Sequence, residues 1–405
     1  MSKLSMRSPW FICICAFLLR VLAIGMVQGA PGKLAHIWES GPEIVNIATA
    51  ISSHRGFSSP FGIETGPTAW IPPVYPGLLA GIFLIFGQQS VLAAATILIV
   101  QGILSSLTCV PLYAIAKRTF DERSAVWSTW AWALFPYEVV LPGLFVWETC
   151  LSGFLAVSLC YLLPSECADE RWGGIWAGVL WGIAALTNAA LLSLMPVFLF
   201  SGYRERRMRC KGVATVVLVA VVVICPWTVR NWAVFRTLVP LRSNFGEELW
   251  KGNHPGGLGR IEFGIGPADN VAQRERYQQL GEIAYVRQRR WEALQFIRQS
   301  PIRYARLVLY RVEYWWFAQG EGAPIFIFYR LLSVLSLTGM ALAWRRWRVA
   351  GTLPLFGAVV VYPLVYYLTD VYARYRYPIE PFLVVFAGYA LSRAFEFRRS
   401  KMVRA

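Results

Sequence analysis

Glu39 and Glu43 lie four residues apart in the segment Trp38-Glu39-Ser40-Gly41-Pro42-Glu43, a short way beyond a long apolar run. A carboxylate beside a bilayer can serve as a general base, because partial desolvation raises its pKa towards neutrality. Two solvated loop carboxylates would show the same spacing. Glu148 stands in Val146-Trp147-Glu148-Thr149, where two apolar runs meet. An acid at that depth is costly unless it is paired, functional or able to reach water at the interface. Further along come Arg230 and Asn231, then Arg242, Asn244, Glu247, Asn253 and His254, with tryptophans and glycines among them. Arginine grips phosphate bidentately and tryptophan offers a stacking face, so this stretch suits contact with a sugar or a phosphate. Helix caps in a folded loop are the plainer account of it. Near the end, Arg374, Tyr375 and Arg376 lie in the polar stretch Asp370 to Pro381. Alternate residues of an extended segment share a face, so both guanidiniums are expected at one site, where they could clamp a lipid-linked phosphate. Anchoring of the interface by Tyr and Arg is the alternative.

These groups need a membrane around them. Of 405 residues 56% are hydrophobic, 15% aromatic and only 15% charged, with 39 Lys+Arg against 23 Asp+Glu and a formal charge of +16. A soluble domain carries about 25% charged residues, and the mean hydropathy here is +0.47. The composition excludes a disordered chain, a coiled coil, a disulfide scaffold and an ordinary soluble enzyme. Surplus Lys/Arg on so apolar a chain points to cytoplasmic membrane loops rather than to nucleic acid. The eight cysteines lie mostly inside apolar runs, with no C-x-x-C and no Cys/His cluster, and read as packing residues.

A span takes about 20 apolar residues. Ten are expected: Trp10–Gln28, Val91–Ala116, Ser124–Val146, Thr149–Leu163, Trp172–Asn188, Ala189–Phe200, Val213–Trp227, Ala323–Trp344, Leu353–Leu368 and Pro381–Phe395. Val74–Gly87 is shorter, holds Pro76, and is expected to lie at the interface without crossing. Both termini then face the cytoplasm, and nineteen basic residues fall in short cytoplasmic segments against four in short outer ones. The expected fold is an all-α polytopic membrane protein. Residues 1–227 form an N-terminal membrane module with a first outer loop at 29–90. Residues 228–322 form an outer loop domain, and 323–405 carry the last helices and a basic tail. The stretch Arg303 to Trp316 is expected to be an interfacial helix with its aromatics at headgroup level.

Taken together, the acidic outer loop, Arg55-Gly56-Phe57, Pro72-Pro73-Val74-Tyr75-Pro76, the long outer loop with Arg230-Asn231 and Arg242-Ser243-Asn244-Phe245-Gly246, and Arg374-Tyr375-Arg376-Tyr377-Pro378 resemble the C-type (GT-C) membrane glycosyltransferases. The similar branch is bacterial, akin to protein O-mannosyltransferases and aminoarabinose transferases, and the resemblance spans roughly Trp10 to Ala390. It implies a GT-C-like bundle of about ten helices with a periplasmic loop domain in the bacterial inner membrane. It also implies an inverting transfer on the periplasmic face, from a polyprenyl-phosphate-linked sugar to a glycan, lipid or protein acceptor. The family's base maps to Glu43, with Glu39 second, a further acidic position to Glu148, and the basic motif to Arg374 and Arg376. No D-x-D occurs, so no cofactor or metal is expected to be obligatory, although a divalent ion would suit the family's chemistry. A transporter or flippase of lipid-linked saccharides is the alternative; it would be expected to show repeated halves with broken helices at matching positions.

Overall fold

The computed structural model describes residues 6–30, 32–162, 171–318, 320–347 and 352–404. Among these the chain is helical, with one isolated antiparallel bridge between Ser58 and Pro67. It opens with α1 (Pro9–Gln28), α2 (Pro42–Ser52), α3 (Val74–Phe86), α4 (Val91–Leu107) and α5 (Cys109–Thr119). Next come α6 (Glu122–Leu134), α7 (Pro136–Val140), α8 (Thr149–Leu162), α9 (Arg171–Ala185), α10 (Met195–Arg204) and α11 (Cys210–Phe235). The outer stretch holds α12 (Phe245–Gly252), α13 (Val271–Leu280), α14 (Glu282–Gln299) and α15 (Pro301–Phe317). The chain closes with α16 (Ile325–Trp347), α17 (Leu353–Val361), α18 (Leu364–Leu368) and α19 (Glu380–Arg404). The fold is that of an all-α, multi-pass membrane protein.

The ten spans read from the sequence are not uniform. Four helices are long and apolar enough to cross: α1, the run Val91–Thr119, α11 and α16. The expected span Ser124–Val146 is broken. Pro136 cannot continue a hydrogen-bonded helix and pushes Phe135 into an extended conformation, φ −64° and ψ 118°. A similar break divides the stretch after α9, where Asn188 Oδ1 accepts from Ala190 N at 3.0 Å and opens a 3₁₀ turn before α10. Residue Cys167 and most of the loop Ser165 to Arg171 lie outside the described residues. The other seven cysteines are free thiols, as packing residues would be.

Helix α19 is the axis of the bundle. Every residue from Glu380 to Ala390 is buried, between α6 on one side and α16 on the other. The approach to α6 needs Gly388, because a Cβ there would run into Ser128. By contrast α11 lies at the rim: Leu218, Val221 and Val222 are exposed, as lipid-facing residues are. It also runs past the expected span end at Trp227 to Phe235, so the outer stretch begins as a continuation of a membrane helix. Helix α3 has thirteen residues, a rise of about 20 Å, short of a hydrocarbon core of about 30 Å.

The first outer loop is tied to the outer stretch rather than hanging free. Arg230 on α11 donates to Thr68 O at 2.6 Å and Phe57 O at 2.8 Å. Glu282, at the start of α14, accepts from Ala69 N at 2.8 Å and from the Tyr277 hydroxyl at 2.7 Å. Phe61, Trp70 and Tyr277 pack edge to face around this junction. The stretch α12–α15 therefore roofs the first outer loop. Helix α15 differs from the interfacial helix expected: Tyr314 and Trp315 are buried, and Trp315 stacks on Tyr366 at 5.4 Å. Its exposed side carries Ile302 and Leu309 instead.

Candidate active site

Helix α2 begins against the loop that leads into α8. Val146 N donates to Ser40 Oγ at 3.0 Å, and a Cβ on Gly41 would strike the Val146 carbonyl, so only glycine permits this approach. Gln101 of α4 holds the same loop from beneath. Its Nε2 donates to Pro142 O at 2.8 Å and Phe145 O at 3.0 Å, and its Oε1 accepts from the Tyr75 hydroxyl at 2.6 Å. Glu43, in the first turn of α2, and Glu148, just before α8, are thereby fixed on neighbouring pieces of backbone.

Glu43 is half-buried and makes no hydrogen bond or ion pair to the protein. It reaches only charges at a distance, chiefly Lys251 of α12. Glu39 is different: its side chain is 78% exposed and bonded to His36 at 2.9 Å. That places it on the surface, away from the cluster that holds Glu43. Glu148 keeps Oε2 buried and unbonded. Burial pushes its carboxyl up to about 7, against the opposing pull of Arg374 and Arg242.

Arg374 stacks on Trp147 at 3.9 Å. It donates no hydrogen bond to the protein, and its Nε is buried without a partner. Arg376 does not join it. The stretch Ala373–Ile379 is a 3₁₀ turn rather than a strand, so residues two apart point in divergent directions. Arg376 is fully buried, paired with Glu380 at 2.8 Å, hydrogen-bonded to Ser333 Oγ at 2.7 Å and to the carbonyls of Trp315, Trp316 and Tyr329. All its donors face protein, and it has none left for a phosphate. Tyr375 lies on Tyr366 at 5.0 Å in an aromatic stack that continues to Trp315.

The expected substrate residues of the outer stretch divide likewise. Arg230 is spent on carbonyls, Asn231 Nδ2 donates to Val239 O at 2.9 Å, and Asn253 is buried on Leu249 O and Leu368 O at 2.8 and 3.0 Å. These three build the roof. Arg242 and Asn244 both meet Glu248, at 3.5 and 2.8 Å, and Arg242 also acts on Glu148. Glu247 is buried with Arg289 at 3.3 Å, and burial raises it to about 7. His254 stacks on Trp250 at 4.7 Å, 3.6 Å from Glu262. Two residues not singled out from the sequence belong to the cluster: Lys251 and Asp370. Burial alone would lower the Lys251 ammonium, yet Glu248, Glu247, Glu43 and Asp370 hold it above its usual range. Burial raises Asp370 to about 7, with Glu248 adding to it. A Lys three residues after Glu248 on one short helix, and an Asp at the start of the Arg374 loop, were the available signals. Among the described residues no three His, Cys, Asp or Glu side chains gather as metal ligands would.

One end of the bundle thus carries a free half-buried carboxylate, a buried second acid and an unpartnered arginine under a helical roof. This is the fold of the C-type membrane glycosyltransferases. A family model described as dolichyl-phosphate-mannose-protein mannosyltransferase matches residues 71–229, less than half of the chain. The oligosaccharyltransferase AglB of Archaeoglobus fulgidus, solved with an inhibitory peptide and a dolichol-phosphate, superposes with a TM-score of 0.58 at 14% identity, over 98% of this chain and 52% of that one. The apo form of the Archaeoglobus fulgidus oligosaccharyltransferase gives 0.57 at 16% identity, over 100% and 53%. ArnT of Cupriavidus metallidurans bound to undecaprenyl phosphate gives 0.54 at 13% identity, over 94% and 60%. The chain spans about half the length of the archaeal enzyme it matches. No curated protein sequence matches it.

Proposed function

We propose that this chain is an inverting membrane glycosyltransferase that moves a sugar from a polyprenyl-phosphate donor to an acceptor hydroxyl on the periplasmic face of a bacterial inner membrane. The observation that carries this reading is the unspent chemistry at one end of the bundle. Glu43 is without a bond, Glu148 has a buried unbonded oxygen, and Arg374 has a buried unbonded Nε. Buried polar groups are ordinarily satisfied, so three such groups together mark a place where a ligand completes the bonding. The titled ligands of the superposed structures, a dolichol-phosphate and undecaprenyl phosphate, support a lipid phosphate here.

In this reading Glu43 accepts the proton of the acceptor hydroxyl as its oxygen attacks the anomeric carbon. The bond from that carbon to the phosphate oxygen breaks on the opposite face, and polyprenyl phosphate leaves with the electron pair. Arg374 and Arg242 neutralise the charge that develops on the departing phosphate, the preorganised electrostatics that is often the largest catalytic term. Glu148, between the two arginines, orients them. The test is transfer of sugar from undecaprenyl-phosphate donors by the detergent-purified protein. Flipping of intact donor across a liposome bilayer, with no transfer, would establish a transporter instead.

A further inference from the structure

One corner of the cluster has no part in that mechanism. Asp370 follows α18 and is 1% exposed, and its Oδ2 accepts no hydrogen bond. The backbone around it is fixed. Asn253 Nδ2 donates to Leu368 O at 3.0 Å, Arg311 Nη1 to Tyr367 O at 3.1 Å, and Ile261 N to Val371 O at 3.0 Å. The carboxylate is therefore built in place. Gly252, which ends α12, abuts the Thr369 carbonyl, so Lys251 and Asp370 flank two residues in contact. Lys251 donates no hydrogen bond to the protein, and it acts on the carboxylate of Asp370 across the corner.

The other charges nearby are already matched. Glu247 pairs with Arg289 at 3.3 Å and Glu248 with Arg242 at 3.5 Å. Arg311 is spent on the carbonyls of Gly259, Tyr367 and Gly252 and on Asn253 Oδ1. One free acceptor and one free ammonium remain, side by side and buried under the roof. A hydroxyl both donates and accepts, so it satisfies the two together. An amino sugar would set its ammonium against Lys251, and a uronic acid would set its carboxylate against Asp370.

We propose that Asp370 and Lys251 read a hydroxyl of the donor sugar and select an uncharged sugar over an amino sugar or a uronic acid. The assignment rests on the glycosyltransferase reading above. Loss of a hydrogen bond to a charged group costs about 10- to 100-fold in affinity, and sites built to bond a substrate hydroxyl strongly reject analogues that lack it.

The experiment measures kcat/KM for undecaprenyl-phosphate carrying glucose, its monodeoxy analogues, 4-amino-arabinose or galacturonic acid. The wild-type protein is expected to favour glucose at least tenfold over both charged sugars. Asp370→Asn should lose about 10- to 100-fold on glucose, recover part of the galacturonic acid activity, and cost nothing further on the one deoxy analogue whose hydroxyl it reads. Lys251→Met reads the same corner from the other side and should relax the exclusion of the amino sugar. Equal losses on every donor, with no analogue that masks the change, would show a structural role only and overturn the inference, as would a wild-type preference for a charged sugar. If the wild-type protein transfers none of these sugars and Glu43→Gln behaves identically, the transferase reading fails, and this one with it.

Discussion

Arg374 and Arg376 are separated by one residue, yet one lies open beside Trp147 and the other is sealed against Glu380. The 3₁₀ turn from Ala373 to Ile379 turns them apart. Their roles divide in the same way: Arg374 faces the site, and Arg376 holds the turn that carries it onto α16 and α19.

Substituting each should therefore give different phenotypes. Arg374→Ala is expected to leave folding intact and raise the donor KM by about 10- to 100-fold, the value of a charge-assisted hydrogen bond. Lysine there keeps the charge without the fork and should fall between. Arg376→Ala strands Glu380 as a buried unpaired charge and should cost about 3–5 kcal/mol of stability. Thermal unfolding in detergent beside donor titrations would distinguish them. An Arg376→Ala protein of normal melting temperature with a raised donor KM would return Arg376 to the phosphate.

The two first-loop acids make a second contrast. Glu43→Gln preserves shape and removes proton acceptance, so transfer should fall by about 10²–10⁴-fold with the melting temperature unchanged. Glu39→Gln should keep wild-type turnover, because its partner is the exposed His36. Turnover lost in Glu39→Gln and kept in Glu43→Gln would exchange the two assignments.

Much of this was legible in the sequence. Apolar length gives the helices, and Glu43, Glu148, Arg242 and Arg374 were marked by charge beside a membrane. The failures have particular causes. Arg376 was assigned by strand alternation, but Pro378 lies in a 3₁₀ turn where alternation does not apply. Arg230, Asn231 and Asn253 have the composition of ligand-binding residues. They were lost to backbone carbonyls far away in sequence, Thr68 and Leu368 among them, and no local pattern announces such partners. Asp370 and Lys251 went unremarked because a single acid and a single lysine carry no periodicity. Only the contact between α12 and the turn after α18 makes them a pair.

The sidedness can be read directly. Gln88 lies in the turn after α3 and is exposed, so a single cysteine at Gln88→Cys should react with a membrane-impermeant maleimide added outside intact cells. A cysteine at Arg207→Cys, after α10, should react only once the membrane is opened. Both cysteines would be placed in a variant lacking Cys210 and the other native thiols. Protection of the Gln88→Cys site from outside would mean that α3 crosses and would invert every later loop.

Glu148 should make both stability and donor binding depend on pH. Burial holds its carboxyl near 7 in the folded chain, against a model value of 4.5. Between those values the folded state keeps a proton that the unfolded state has released. The stability this group contributes is therefore complete below pH 4.5, declines as pH rises, and is gone above about 7. Glutamine cannot ionise, so the melting temperature of the wild type relative to Glu148→Gln should fall between pH 5 and 8 and then level off. A donor phosphodiester at Arg374 would place a further negative charge near Glu148 and favour its protonated form. Donor affinity should accordingly weaken in the wild type from pH 6 to 8.5, while Glu148→Gln binds equally across that range. Parallel pH profiles for the two proteins would mean that Glu148 does not titrate in this window and that the lipid phosphate binds out of its reach.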